Sequence, residues 1–367
     1  MTAPRLEIDL GKINHNARTL VRRLALRGIA VMGVTKAVLG SSAIAHEMIL
    51  AGVSELGDSR LENIQSMREA GIAAPMTLIR SPMLSQVERV AEHVDLSFHT
   101  EFEVIRELSR AAQKLGKIHG IVLMVELGDL REGLSPCDVE KAVPLILNLP
   151  NLVMRGIGTN LACLNGVIPD AQKMLELSVL ADSIEAAFDL TLDMVSGGNS
   201  ANLLWALSDA NTGRVNHLRL GESILLGRET LHRQPIEGLF TDAITLVAEV
   251  IESKFKPSEP WGEIAQTAFG DKPVTKEQGC LMRAIFALGR QDTDPKGLSL
   301  PTGFTILGTS SDHLIVDCGP HKLRIGSEMT FQLNYSALVR SMTSPFVVKV
   351  MNNQSHGNME PIGVKTS

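Results

Sequence analysis

The 367-residue sequence predicts an α/β protein: a closed (β/α)8 barrel followed by a second, mostly β domain. Three observations predict it. Eight short apolar or mixed segments alternate with amphipathic helical patterns between residues 29 and 220. No Gly-x-Gly-x-x-Gly run follows the first of these segments, which argues against a dinucleotide-binding sheet. From about Gly227 the helical period fades and short β-rich runs replace it. Alternating βα units imply a parallel sheet with right-handed crossovers. Eight of them over roughly 200 residues suit a closed barrel. An open doubly wound sheet is the alternative.

The elements follow in order. Leu6-Glu7-Ile8-Asp9-Leu10 alternates as a short strand does. Asp9 or Gly11 opens a helix from Lys12 to Leu26, with Ile13, Ala17, Leu20, Val21 and Leu24 on one face. Ser41-Ser42 caps a further helix carrying Ile44, Met48 and Ile49. The strand candidates are 29–35, 54–58, 76–81, 94–99, 118–126, 152–158, 191–196 and 215–220. Helical patterns fill the gaps, among them Ser85–Ala91, Glu101–Leu115, Ser135–Leu147 and Asp170–Ala187. The barrel is placed at 11–226 and the β domain at 227–351, joined by the strand 5–10. That domain reads as strands at Ala243–Ile251, Cys280–Ala287, Phe304–Leu307, Leu314–Asp317, Met329–Leu333 and Phe346–Val350, separated by prolines. The tail 352–367 is polar and aperiodic.

Composition narrows the function classes. Hydrophobic residues make up 44% and charged residues 21%, as in a globular enzyme. The net charge of -6, with no basic block, argues against a nucleic-acid partner. No apolar run approaches the ~20 residues of a membrane span. The opening Met1-Thr2-Ala3-Pro4-Arg5 lacks the apolar core of a signal peptide. Cys137, Cys163, Cys280 and Cys318 are scattered, which suits reduced thiols and a cytoplasmic location. Cys318 and His321 are close in sequence, and a turn explains them better than a metal does.

Function concentrates at the strand ends, where barrels of this kind keep their chemistry. Lys36 ends the apolar run 28–34. Its amine can form a Schiff base with a carbonyl compound; a lysine that merely caps a strand is the alternative. The other strand ends supply Asp58, Arg80, Ser81, His99, Thr159, Asn160 and Arg219, and Arg131 follows the fifth strand. Ser196-Gly197-Gly198-Asn199-Ser200-Ala201-Asn202 is a glycine-rich turn into a helix, able to converge backbone N–H groups on an anion. Arg219-Leu220-Gly221-Glu222-Ser223 offers a second exposed backbone beside an arginine. Loops after the seventh and eighth strands are a frequent phosphate site. A lysine for an aldehyde and a cradle for a phosphate together suggest pyridoxal 5'-phosphate, whose ring nitrogen needs a polar partner.

These residues resemble a known family, the alanine racemase-like, fold-type III pyridoxal-phosphate enzymes. Glu7-Ile8-Asp9-Leu10 with Asn14-His15-Asn16 is similar to its opening. Val34-Thr35-Lys36-Ala37 is similar to its cofactor-lysine segment, and residues 156–162 to its sixth-strand motif. Asn199-Ser200-Ala201 and Arg219-Leu220-Gly221 resemble its phosphate and pyridine segments. Gly289-Arg290-Gln291-Asp292, Ser310-Ser311-Asp312-His313, and Asn334-Tyr335 followed by Met342-Thr343-Ser344-Pro345 look most like the ornithine racemase branch.

The resemblance implies an amino-acid racemase, an isomerase acting as a homodimer on a basic amino acid such as ornithine or lysine. It implies cofactor contacts from Lys36, Arg131, Asn160, Asn199, Ser200, Arg219, Gly221, Glu222 and Tyr335. Lys36 would act as one proton-transfer base. The resemblance supplies no donor for the opposite face, and Tyr335, His313 and a bound water are the candidates for it. Arg290, Asp292, Ser311 and Asp312 would face the substrate. Three departures stand out. No tyrosine follows the lysine in Val38-Leu39-Gly40, Asn160 replaces a histidine, and Arg290 stands where the second-base tyrosine is usual. A non-catalytic pyridoxal-phosphate carrier and a D-amino-acid lyase of the same fold are the competing readings.

Overall fold

In the computed structural model the described residues are 2–270 and 277–353. Most of the predicted tail, from residue 354 on, lies outside them. Two compact units divide the described chain: Leu10–Thr241, and the segment ending at Asp9 together with Asp242–Asn353.

The first strand, β1 (Arg5–Asp9), belongs to the second unit. It runs into helix α1 (Leu10–Ala25) of the first, which buries Ile13, Ala17, Leu20 and Leu24. Eight parallel strands follow: β2 (Ala30–Val34), β3 (Glu55–Asp58), β4 (Met76–Leu78), β5 (Leu96–His99), β6 (His119–Val125), β7 (Leu152–Thr159), β8 (Met194–Ser196) and β9 (His217–Leu220). Each pairs with its successor, and β9 pairs back to β2, so the barrel is closed. That pairing excludes the doubly wound alternative. All eight segments read from the sequence form these strands. The helices between them are α2 (Ser42–Leu50), α3 (Leu61–Glu69), α4 (Val87–His93), α5 (Phe102–Leu115), α6 (Pro136–Leu147), α7 (Ala171–Phe188) and α8 (Leu203–Ala206), with α9 (Glu222–Leu226) after β9. Two of their starts follow capping chemistry: Ser135 accepts from Asp138 N with a proline at the first turn of α6, and Asp170 accepts from Lys173 N at α7. Ser41 precedes α2 as expected but makes no side-chain capping bond.

Strand alternation sorts the barrel wall into two faces. Met32, Val34, Leu96, Phe98, Val122 and Met124 pack together inside, with Ile79 and Met194 against them. A Cβ on Gly57 would collide with Met32 and Ile79, so glycine is required there for interior packing.

The second unit is a mostly antiparallel sheet. Strand β10 (Ile244–Pro257) is its spine, and a register shift at Val250/Glu252 lets its two halves pair differently. The first half pairs with β1 and with β15 (Glu328–Leu333). The second pairs with β11 (Cys280–Phe286), which continues to β14 (Leu314–Asp317) and β13 (Thr305–Thr309). The short β12 (Leu298–Ser299) edges β15, and β16 (Val348–Asn352) lies parallel to β1. Helix α10 (Tyr335–Thr343), capped by Asn334, was not read from the sequence; it is nine residues long and follows directly on a strand. His321 N donates to Cys318 O, the turn expected of that pair.

Candidate active site

Lys36 sits where β2 gives way to a 3-10 turn, Lys36–Val38, followed by Leu39 and Gly40 at positive φ. A side chain at Gly40 would also collide with Asn63. Asp58, at the end of β3, pins this turn. Its carboxylate accepts from Thr35 Oγ1 (2.7 Å), Arg60 N (2.9 Å) and Asn63 Nδ2 (3.0 Å). Burial nevertheless pushes the Asp58 carboxyl up, against those hydrogen bonds. The Lys36 amine is pushed down, first by desolvation and further by Arg131 and Arg219; Cys163 and Asp58 oppose the shift. A lysine biased toward the neutral amine is a nucleophile and a base.

Arg219 enters the interior from β9. It is buried, with its guanidinium 5.1 Å from the centre of the Phe98 ring. Its Nη2 donates to Thr159 O (2.7 Å) and to Asn160 Oδ1 (3.2 Å), and its Nη1 donates to Ser196 Oγ (2.5 Å). Burial, with Arg131 nearby, pulls its pKa down to about 10, so it still carries its proton near neutrality. Asn199 Nδ2 donates to Asn160 Oδ1 (3.2 Å) and Leu161 O (2.9 Å). The Asn160 amide nitrogen is buried without a partner. The turn after β8 is built for close approach: Gly198 has φ +141°, and any side chain there would strike Asn202. Asn199 and Asn202 form a reciprocal cap on the following turn. Ser200 Oγ lies 3.0 Å from Ser223 Oγ, bringing the ends of β8 and β9 together beside Gly221 and Glu222. Burial pushes the Glu222 carboxyl up, and Arg233 pairs with it.

Arg131 reaches the same end from the loop after β6. It contacts Cys163 Sγ at 3.2 Å and Glu132 Oε1 at 2.5 Å. Asp129 organises the facing loop, accepting backbone N–H bonds from Cys163, Leu164, Asn165 and Val167. The barrel thus brings Lys36, Arg131, Asn160, Asn199, Ser200, Arg219, Gly221 and Glu222 to the strand ends.

The remaining sequence-derived residues lie in the other unit. Arg290 stacks its guanidinium 4.2 Å from the Phe269 ring centre, and its Nε donates to Thr309 Oγ1. Asp292 is buried, and it accepts from Gly289 N (2.9 Å) and lies 3.5 Å from Ser344 Oγ. It closes a turn and is not available as an open carboxylate. Asp312 is exposed, held by His313 Nδ1 at 2.8 Å and by the Ser310 and Ser311 hydroxyls. Tyr335 opens α10 and is half-buried.

Sequence reasoning did not assign a role to Asp129, Cys163, Glu55 or His217, and read Ser196 only as the first residue of the glycine-rich turn. The alternation His217-Leu218-Arg219-Leu220 was the signal available, since it places His217 on the same face as Arg219.

A lysine amine whose pKa is pushed down, at the end of a parallel barrel strand with arginines around it, is the equipment of an enzyme that captures carbonyl compounds. The model of the family described as alanine racemase, N-terminal domain, matches residues 8–229, and the chain belongs to that family. The chain is 37% identical over 351 residues to an ornithine racemase of Acetoanaerobium sticklandii, covering 94% of this chain and 99% of that protein. It is equally similar, at 37% over 353 residues, to a lysine racemase of Thermotoga maritima, covering 95% and 99%. The crystal structure of an alanine racemase from Streptomyces lavendulae shares the fold, with a TM-score of 0.75, 20% identity and coverage of 96% and 98%.

Proposed function

We propose that this chain is a pyridoxal-5'-phosphate-dependent racemase that interconverts the L and D forms of a basic amino acid, ornithine or lysine. The observation that carries the reading is the placement of Lys36 beside Arg131 and Arg219, within a chain alike along its length to an ornithine and a lysine racemase. The residues fit the cofactor. A buried Asn160 amide awaits an acceptor, and Ser200 stands with Gly221 and Glu222 at the ends of β8 and β9. Lys36 would hold the aldehyde carbon, Ser200 with the Gly221 and Glu222 backbone the phosphate, Arg219 the ring nitrogen and Arg131 the phenolic oxygen.

When bound, the cofactor supplies a conjugated ring that acidifies the α-proton. Lys36 takes and returns that proton on one face. Arg219 donates a hydrogen bond without surrendering its proton, which limits the charge the ring can store and favours prompt return of the proton to the same carbon. Tyr335, the single tyrosine of the sequence, and His313 are the candidates for the opposite face. A phenol, of ordinary pKa ~10, needs a positive neighbour to work as a base. Asp312, an exposed carboxylate already held by His313 and two serines, is the candidate partner for the distal ammonium of the substrate. The active form is a homodimer, which sedimentation at assay concentrations checks. No helix among the described residues is long and apolar enough to cross a membrane.

The test compares kcat/KM for L-ornithine, L-lysine and L-alanine by optical rotation with cofactor present. The reading requires a basic amino acid to exceed alanine. Alanine equal to or above both would remove the specificity, and no racemisation of any of the three would remove the activity.

A further inference from the structure

Parallel barrels of this kind fill their interior with layers of branched apolar side chains. This barrel departs from that rule along one line. Below Arg219, on the same face of β9, lies His217, and across β2 from it lies Glu55 of β3. Both are buried, as are Ser196 and Thr77. Ser196 Oγ is 2.9 Å from His217 Nδ1, His217 Nε2 is 3.3 Å from Glu55 Oε1, and Thr77 Oγ1 is 2.5 Å from Glu55 Oε2. The His217–Glu55 contact is close but off hydrogen-bond alignment, so Nε2 makes no formal hydrogen bond.

The chemistry of the donors fixes the direction of this line. A guanidinium can only donate, so Arg219 gives a proton to the Ser196 oxygen. The Ser196 hydroxyl proton then has one acceptor among its contacts, His217 Nδ1. That leaves the imidazole proton on Nε2, facing the Glu55 carboxylate. Thr77 donates to the same carboxylate from the other side. Every proton in the line points from Arg219 and Thr77 toward Glu55. Aligned hydrogen bonds of one direction polarise one another in a dry interior. The line also uses one Nη1 proton, and Thr159 O and Asn160 Oδ1 use both Nη2 protons, so of the five N–H donors the Nε–H and one Nη1 proton are left uncommitted by these contacts.

We propose that Ser196, His217 and Glu55 form a buried positioning relay that orients the Arg219 guanidinium and fixes which of its protons meets the cofactor's ring nitrogen. The three residues touch neither substrate nor cofactor. A Ser–His–Glu hydrolytic triad is a poor account of the same line, because Ser196 is buried and already occupied by Arg219. The proposal rests on the cofactor reading above, and its test has an arm that does not.

Without added cofactor, the nitrogen-15 resonances of the His217 ring should show a bare Nδ1 and a protonated Nε2. The opposite tautomer would overturn the relay whatever the cofactor does. With cofactor labelled at its ring nitrogen, His217→Leu and Glu55→Gln should keep the visible absorption of the lysine-linked cofactor while shifting the ring-nitrogen resonance. The share of turnovers lost to transamination should rise about tenfold, the size of one hydrogen bond to a charged group. Glu55→Gln is nearly isosteric and serves if His217→Leu melts early. Either variant, folded and yellow but with the ring-nitrogen resonance and the transamination share unmoved, would overturn the proposal. A wild-type protein that takes up no cofactor at Lys36 would instead remove the cofactor reading and leave the tautomer arm standing.

Discussion

Two sets of buried histidines lie on opposite faces of one barrel wall. His217 faces inward, between a serine tied to an arginine and a carboxylate. His99 and His119 lie on the other face of the wall from Phe98 and Val122, and they share a single hydroxyl, with Ser97 Oγ 2.7 Å from each Nε2. Neither Nδ1 of that outer pair has a partner. Burial drives their pKa values down to about 3 for His99 and about 4 for His119. The inner histidine joins charged groups and so bears on chemistry. The outer pair has no charged hydrogen-bond partner and stays neutral, so it bears on stability. Depth of burial alone does not distinguish the two sets; the company each keeps does.

That division predicts which changes alter turnover and which alter melting. The largest effect belongs to Lys36→Ala. Its loss should lower kcat on the order of 10⁴-fold, since on the proposed reading it removes both the covalent anchor and a base. The fold should remain intact, because a partly buried amine that is costly to charge has gone. Circular dichroism and single-turnover assays check both halves.

The outer pair should act in the opposite sense. Its folded pKa values lie below the ordinary value near 6.5, so its contribution is complete above that pH and declines as pH falls toward 4. Between pH 7.5 and 5 the two histidines should together cost on the order of 4 kcal/mol of unfolding free energy. Urea titrations at both pH values measure this, and His119→Gln should flatten the slope by about half while turnover at pH 8 is kept.

Tyr335→Phe should reduce kcat about 100-fold in one substrate direction if the phenol carries the second proton. A rise in cofactor dissociation with kcat kept would make it an anchor instead. The smallest effect is expected of Asp312→Asn. An exposed carboxylate contributes weakly, so the preference for ornithine over alanine should fall only a few-fold. Steady-state assays with both substrates give that ratio.

Much of the barrel was legible because strands buried on both sides read as apolar runs, as 118–126 does. Lys36 and Arg219 were legible because polar residues at the end of such runs need a reason. The interior line was harder to see. Glu55 stands in the short, mixed segment 54–58, and only closure of β9 onto β2 brings it to His217. Asp129 was invisible for a similar reason, since its four N–H partners lie more than thirty residues away. Asp292 looked like an open carboxylate in Gly289-Arg290-Gln291-Asp292. The fold spends it on its own turn, an outcome that composition does not separate from binding.

The most direct test of the central claim is covalent trapping. The protein is incubated with pyridoxal 5'-phosphate, reduced with borohydride, digested and mapped by mass spectrometry. The account predicts the reduced cofactor on Lys36, with loss of racemisation in proportion to labelling. Labelling of other lysines with Lys36 unmodified, and activity retained, would contradict it.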